Sequence, residues 1–171
     1  MNLPKPNEYA EFYSGYINEI PHDNVIKLLE DGRDELQSLI RSLPEDKGSH
    51  SYAEGKWSIK EVLGHIADVE RVHSFRVMSF ARGETKSLPG FEQDDYVREA
   101  DFNTRSLASL ADELKHLRDA NIALFKSFDE KTLLRKGLSN NHMFTVRAFI
   151  FIIAGHELHH LKILKERYLG G

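Results

Sequence analysis

The chain has 171 residues, about the length of one ordinary domain, and its 40% hydrophobic and 29% charged residues are typical of a globular protein. A net charge of -4 offers no basic surface for nucleic acid or for an anionic membrane, so we expect neither as a partner. The chain has no cysteine, which excludes disulfides, thiolate nucleophiles and sulfur ligands for a metal, and favours a cytoplasmic location.

Four amphipathic helices are predicted, and no repeat or linker separates them, so we expect a single domain over residues 1–171. The first helix covers residues 23–42. Asp23 can cap its start and Pro44 stops the chain from continuing as helix. Gly32 lies in its middle and disfavours a helix there.

The second predicted helix has the clearest start in the sequence. Ser58 and Glu61 have the spacing of a capping box, in which each side chain binds a free backbone N–H of the first turn. Trp57 before the cap and Val62 after it complete a hydrophobic staple. Helical spacing of apolar residues then continues to about residue 82.

The third and fourth helices are predicted over residues 106–128 and 145–168, and Phe144 and Phe149 can staple the start of the fourth. The segment 83–105 is too long for a tight turn, so it can carry the chain the length of the bundle and leave the second and third helices parallel. Alternating strand patterns are missing. The predicted fold class is therefore all-α, a four-helix bundle with a long crossover between helices 2 and 3.

Segments outside the four helical faces are interpreted structurally. Residues 1–22 carry several aromatic side chains and are expected to pack across the bundle. The stretch from Ala148 to Ala154 is apolar all round, so it is either fully enclosed or meets another subunit. Three histidines fall in predicted loops, where a solvated ring is the default: His22, His50 and His142.

A pair of histidines on the fourth helix is the strongest chemical signal. His156 and His160 are four residues apart and lie one above the other, so both imidazoles can reach one ion. Steps of three and four from apolar Phe149 and Ile153 lead to both, which points the pair into the core, where an unpartnered polar ring is costly. We interpret them as metal ligands. The alternative is a pair that interacts only with the helix dipole or solvent.

The same segment also matches H-E-x-x-H, the signature of zinc metalloproteases. The extended signature of one protease class needs glycine and histidine where this chain has Ile163 and Glu166. Only eleven residues follow His160, so we expect the third ligand of a zinc-type site from elsewhere in the chain. Glu157, the glutamate of the motif, is a candidate base only if its side chain reaches the pocket.

His65 is the predicted third ligand. It lies on the apolar face of the second helix, three residues after Val62 and four before Val69, where a histidine can also be an ordinary core residue. Because the pair on the fourth helix supplies only two of the three ligands that such a metal site needs, we favour His65 as a metal ligand. His73 shares this face but lies about 12 Å along the helix axis, too far for the same ion. We interpret His73 as a residue near the site or in the core.

A di-metal site is a less favoured alternative. Glu-x-x-His spacing, which ferritin-like bundles use twice, begins at Glu70, Glu113 and Glu157. Glu113 falls beside the apolar stripe of its helix rather than on it, and the first helix offers no inward glutamate. A single ion is therefore the preferred interpretation.

The residues resemble a known family. EGKWSIKEVLGH at 54–65 is similar to the central motif of the DinB/YfiT-like family of metal-binding four-helix-bundle proteins. The run 146–160, which ends in AGHELHH, resembles the last helix of that family together with ERYL at 166–169. LPGF at 88–91 and QDDY at 93–96 resemble its linker, so the likeness covers nearly the whole chain.

The resemblance implies an up-down-down-up bundle that is often a homodimer. It also implies one divalent metal ion held by a histidine of helix 2 and two of helix 4, and these ligands fall on His65, His156 and His160. Zinc or nickel are the metals first implied, with iron or manganese as further candidates. Family members with assigned chemistry include S-transferases that use bacillithiol, mycothiol or glutathione, and a maleylpyruvate isomerase.

Three neutral imidazoles leave an ion its full charge and an open position for a thiol or water. Because the chain has no cysteine, a sulfur nucleophile must come from a small molecule. The leading hypothesis is a metal-dependent S-transferase that conjugates a low-molecular-weight thiol of the bacillithiol type to electrophiles, so a thiol and an electrophile are the expected partners. The alternatives are a metal-dependent hydrolase of YfiT type and a non-catalytic, stress-associated metal-binding bundle with a sealed site.

Overall fold

The computed structural model describes residues 1–21 and 23–170, so His22 and its predicted loop position lie outside the described residues. Within them, α2, α3, α5 and α7 correspond to the four predicted helices, which confirms the all-α four-helix class. The helices in chain order are α1 Ser14–Asn18, α2 Val25–Ser42, α3 Ile59–Ala81, α4 Gln93–Ala100, α5 Leu107–Lys126, α6 Glu130–Leu133 and α7 Val146–Ile163.

The start of α3 forms as predicted. The amide of Glu61 donates to Ser58 Oγ at 3.2 Å, and the amide of Ser58 donates to Glu61 Oε2 at 2.6 Å, which completes the capping box. The predicted staple of α7 is also present, because the rings of Phe144 and Phe149 stack with centroids 4.4 Å apart.

The predicted cap of α2 is wrong by one residue. The helix is capped by Asn24, whose side chain accepts a hydrogen bond from the amide of Lys27 at 3.3 Å. Asp23 and Asn24 are both good capping residues, so the sequence alone does not choose between them.

Ion pairs and side-chain contacts give the direction of each helix. α2 and α5 are antiparallel, since Arg41 at the end of α2 pairs with Asp112 near the start of α5. Lys126 at the end of α5 pairs with Glu30 near the start of α2. α3 and α5 are parallel, since Ser58 contacts Asn103 before the start of α5 and Glu70 contacts Arg118 farther along it. α3 is antiparallel to α7, since Trp57 at the start of α3 contacts Tyr168 after the end of α7, whereas Phe80 at the end of α3 contacts Phe149 at the start of α7. The bundle is therefore up-down-down-up, as the resemblance implied.

The crossover between α3 and α5 packs closely on the bundle. It contains α4 and then a short turn that sets the ring of Phe102 against Gly64 of α3. A Cβ on Gly64 would lie 2.4 Å from that ring, so the close approach requires glycine one residue before His65.

A β-hairpin before α7 is the element that the sequence prediction missed. Strands β1 Lys136–Ser139 and β2 His142–Thr145 pair antiparallel, and Asn140 and Asn141 form the turn with φ of 49° and 62°. Two positive φ values in a two-residue loop are the pattern of a type I′ turn, which asparagine tolerates. The Asn-Asn pair was the available signal, but four-residue strands are too short for a clear alternation.

The apolar run on α7 is enclosed within this chain. Every side chain from Ala148 to Ala154 is at most 2% exposed. The enclosed interpretation of this run is therefore confirmed, and the run offers no surface to a second subunit. Among the described residues, no helix has both the length and the apolar content required to cross a membrane.

Candidate metal centre

The structure brings His65, His156 and His160 together. One ring nitrogen from each lies within 4.8 Å of the other two, and His65 Nε2 is 3.0 Å from His156 Nε2. His65 comes from α3 and the pair comes from the antiparallel α7. Their role as ligands stays a prediction, but the three rings meet where the sequence placed them.

All three rings are buried and held neutral. Burial lowers the pKa of His65 to about 4 and that of His160 to about 3, and it lowers the pKa of His156 well below the ordinary value. Nδ1 of His160 is buried and has no hydrogen-bond partner among the described residues. A neutral imidazole offers a lone pair, so the triad presents donors of the kind that zinc and nickel accept.

Aromatic side chains enclose the triad. The ring of Trp57 lies 4.7 Å from that of His65, so this residue contacts the site as well as the core cluster that contains Val62. The ring of Tyr16, from α1, lies 5.5 Å from His156. A Cβ on Gly155 would lie 2.3 Å from the carbonyl oxygen of Tyr16, so glycine next to His156 allows α1 to approach. Residues 1–21 therefore pack across the bundle as predicted.

The buried carboxylates beside the triad are not available to it. Arg118 of α5 is 2% exposed and donates to both oxygens of Glu70, at 2.8 and 2.7 Å, and to Glu157 Oε1 at 2.9 Å. Asn121 donates a further bond to Glu70 at 3.0 Å. Glu157 thus faces Arg118 and Gly32 rather than a pocket, so it does not meet the condition for a catalytic base.

This arginine also removes the basis of the di-metal alternative. Glu70 and Glu157 do point inward, but a guanidinium neutralises them in place of a second ion. Glu113, the third motif glutamate, pairs with Arg71 at 2.5 Å and with Arg105. Within the described residues, the His triad is the one cluster that could hold a metal.

A cavity of about 520 Å³ borders the triad at His156. Its walls come from residues 10–16, α3, the crossover from Gly90 to Asp94, the hairpin, and α7 at His156. Glu92 and Asp94 line it and are exposed, so two acidic residues of the crossover border the pocket. A pocket that reaches both solvent and a candidate ligand is a suitable place for a small-molecule substrate.

Two pocket residues were not identified as functional from the sequence. His73 and Arg76 lie three residues apart on α3, so they share one helix face, and both line the cavity. His73 is 3% exposed and Arg76 4%. The spacing of His65, His73 and Arg76 along one face was the available signal.

The remaining histidines are not members of the triad, although the ring of His159 lies 5.2 Å from that of His160. His159 stands on the next face of α7, against Tyr16 and about 4.0 Å from a carboxylate oxygen of Glu19. His50 packs edge-on against Tyr168, and His116 is exposed on α5.

Comparison with known protein families shows which family this chain belongs to. The model of the DinB superfamily matches residues 28–164, which include all three histidines of the triad. The chain belongs to the DinB superfamily.

Individual relatives agree with this assignment. A protein of Oceanobacillus iheyensis to which a metal-dependent hydrolase activity is ascribed is 26% identical over 141 residues, which cover 82% of this chain and 81% of the relative. The structure of YfiT from Bacillus subtilis, described as "a probable metal-dependent hydrolase with an unusual four-helix bundle topology", superposes with a TM-score of 0.77 at 17% identity. The superposition covers 95% of this chain and 89% of YfiT.

A second solved structure with the same fold is larger than this chain. The mycothiol-dependent maleylpyruvate isomerase superposes with a TM-score of 0.67 at 13% identity, over 84% of this chain and 61% of that enzyme. At these identities the two solved structures establish the shared fold. For this DinB protein, the donor set and its arrangement fit one divalent metal ion.

Proposed function

We propose that this DinB protein is a metal-dependent S-transferase that joins a low-molecular-weight thiol to an electrophile. The observation that carries the proposal is the contact between the triad and the cavity, because His156 is both a triad member and part of the cavity wall. A divalent ion held by the three imidazoles would supply positive charge that favours the anionic form of a thiol.

The sulfur must come from a cosubstrate. The chain has no cysteine, so it cannot itself supply a thiolate. A cavity of about 520 Å³ has room for a small thiol and an acceptor, and its walls carry the aromatic rings of Tyr13, Phe91 and Phe144. The mycothiol dependence of the related maleylpyruvate isomerase also supports thiol chemistry on this fold.

The reaction balances without an oxidant or reductant. With a chlorinated acceptor, a C–S bond forms while the C–Cl bond breaks. Chloride leaves with the bonding electron pair, and the thiol proton passes to solvent. With an epoxide, the C–S bond forms as the C–O bond opens, and the oxygen takes up the proton. The protein's part is to exclude water around the buried rings and to hold the acceptor against the His156 side of the cavity.

Metal-dependent hydrolysis is the second candidate. It is favoured by the activity ascribed to the Oceanobacillus relative and by the description of YfiT. The position of Glu157 counts against a mechanism of the H-E-x-x-H type, since its carboxylate binds Arg118. Zinc or nickel, a homodimer and a cytoplasmic location remain parts of the proposal.

One experiment separates these functions. Zinc-loaded and nickel-loaded protein is incubated with glutathione, bacillithiol or mycothiol and a chlorinated or epoxide acceptor, and conjugates are measured by mass spectrometry. The same preparations are given ester and amide substrates without thiol. We expect a conjugate with at least one thiol, lost in His65→Ala and kept in the exposed control His116→Ala. Hydrolysis without conjugation would favour the second candidate, and metal binding without either activity would favour the non-catalytic bundle.

A further inference from the structure

Arg76 is a buried cation without a carboxylate partner. It is 4% exposed, and among the described residues no carboxylate oxygen lies within 4.0 Å of its guanidinium. Its Nη2 donates to the carbonyl oxygen of Pro89 at 2.9 Å, and its Cζ lies 5.8 Å from the ring centre of Phe91 and 5.6 Å from that of Phe149. A buried charge is ordinarily paired, because desolvation without a counter-charge is costly.

The contrast with Arg118 is informative. Arg118 is also buried, at 2% exposed, but two carboxylates of the same chain bind it. Arg76 lines the cavity instead, beside the phenol of Tyr13, so its guanidinium has a neutral neighbour and lies next to a space that a ligand can enter. A guanidinium between aromatic rings is well suited to bind a carboxylate through two parallel hydrogen bonds.

His73 provides a second, independent indication. Its Nδ1 lies 2.8 Å from the carbonyl oxygen of Val69, which can only accept, so Nδ1 carries the proton. Nε2 therefore has the lone pair, and it is buried without a hydrogen-bond partner among the described residues. Because His73 lines the cavity one helical turn from Arg76, this acceptor can serve a donor group on the same ligand.

We propose that the cavity binds an acidic small molecule whose carboxylate pairs with Arg76 and whose neighbouring hydroxyl donates to Nε2 of His73. The inference rests on the proposed function in taking this cavity as the substrate pocket, and it adds the charge class of the substrate. The carboxylate belongs either to the thiol or to the electrophile. Arg76 and His73 are positioning residues for this ligand, beside the triad.

The first test compares two ligands of similar size and shape, one an anion and the other a neutral amide. 4-Chlorophenylacetate and 4-chlorophenylacetamide are titrated into the zinc-loaded, full-length protein by calorimetry, and again after zinc removal to separate binding at Arg76 from binding to the ion. We expect the acid to bind about tenfold more tightly in both states, the size of one charged hydrogen-bonded contact. Equal binding of acid and amide to the wild-type protein would overturn the inference.

Three variants assign the preference to Arg76. Arg76→Met is expected to abolish the preference for the acid, and Arg76→Lys to keep part of it. Arg82→Met is the matched control, because Arg82 is exposed at the end of the same helix and changes the net charge equally. Circular dichroism checks that each variant is folded. A preference that persists in folded Arg76→Met would contradict the proposal, and the wild-type comparison remains decisive if that variant does not fold.

The second test concerns His73. 4-Chloromandelate adds one hydroxyl group beside the carboxylate, and we expect it to bind severalfold more tightly than 4-chlorophenylacetate. His73→Phe keeps an aromatic ring between Tyr13 and Phe149 but removes the acceptor, so the advantage of the hydroxyl should disappear. No advantage in the wild-type protein, or an advantage that survives in His73→Phe, would remove His73 from the proposal.

Kinetics then distinguishes the two sources of the carboxylate. An acidic thiol with a neutral acceptor is compared with a neutral thiol and an acidic acceptor. Arg76→Met should raise the KM of the component that carries the carboxylate and leave kcat nearly unchanged. If the loaded wild-type protein forms no conjugate, the transferase proposal fails, while the acid-to-amide ratio in binding still decides the role of Arg76.

Discussion

Nε2 of His65 and Nε2 of His156 lie 3.0 Å apart across the interface between α3 and α7. The two residues are 91 positions apart in the chain, so the contact depends on the antiparallel packing of these helices. The same packing forms the core above and below the triad. A site that sits between two helices should therefore be sensitive to groups that fix their spacing.

Arg118 is expected to be essential for stability. Arg118→Met would leave the carboxylates of Glu70 and Glu157 buried without their cation, because both are at most 4% exposed in their side chains. Breaking a buried ion pair by removing one partner costs about 3–5 kcal/mol. Chemical denaturation should show a loss of this size. A loss below about 1 kcal/mol would mean that the network contributes little.

Replacing Gly32 by alanine should lower the stability of the protein, although helix propensity favours alanine at this position. Alanine in the middle of a helix is ordinarily better than glycine by about 1 kcal/mol. Here a Cβ would lie 1.9 Å from Oε1 of Glu157, so we expect Gly32→Ala to destabilise the protein by about 1–3 kcal/mol. The free energy of unfolding of the variant measures this directly.

A double-mutant cycle supplies the control. In a Glu157→Ala background the obstructing carboxylate is gone, and Gly32→Ala should become neutral or stabilising. The same destabilisation in both backgrounds would show that Glu157 is not the cause.

Glu8 should make stability depend on pH in the acid range. Burial raises the pKa of Glu8, but hydrogen bonds from Arg147, the Lys5 amide and Thr145 outweigh it and lower the pKa to about 2 from 4.5. The folded state therefore binds the proton less readily than the unfolded chain. The stabilisation by this carboxylate is complete above about pH 4.5 and is lost as the pH falls toward 2.

The comparison of wild-type protein with Glu8→Gln measures that contribution. The difference in free energy of unfolding should be largest at pH 6 and should shrink steadily as the pH is lowered below 4.5. Since Glu8 also receives a hydrogen bond from Thr145, the cap residue of α7, part of the loss in the variant should be fraying of that helix. A difference that is independent of pH would contradict the assignment.

Features encoded by neighbouring residues could be predicted from the sequence. The capping box of Ser58 and Glu61 and the i,i+4 pair of His156 and His160 are local patterns, and local geometry determines what they do. His65 could be identified because the pair needed a third donor on a facing helix.

Features that arise from tertiary contacts could not. Arg118 is one arginine among many in the sequence, and only the packed bundle shows that it faces Glu70 and Glu157. The cavity is built from five separated segments, so its residues His73 and Arg76 had no common signal beyond sharing a helix face. From the sequence alone, Gly32 disfavoured a helix. The reason for the glycine could not be seen there, because the side chain that requires it, Glu157, lies 125 positions away on α7.

Metal content tests the central claim most directly. Purified protein is loaded with zinc or nickel, freed of unbound ion, and analysed for metal per chain by elemental analysis, with His65→Ala and the exposed control His116→Ala treated alike. We expect one ion per chain in the wild-type protein and in the control, and a large loss in His65→Ala. Full occupancy in His65→Ala, or two ions per wild-type chain, would contradict a single site formed by His65, His156 and His160.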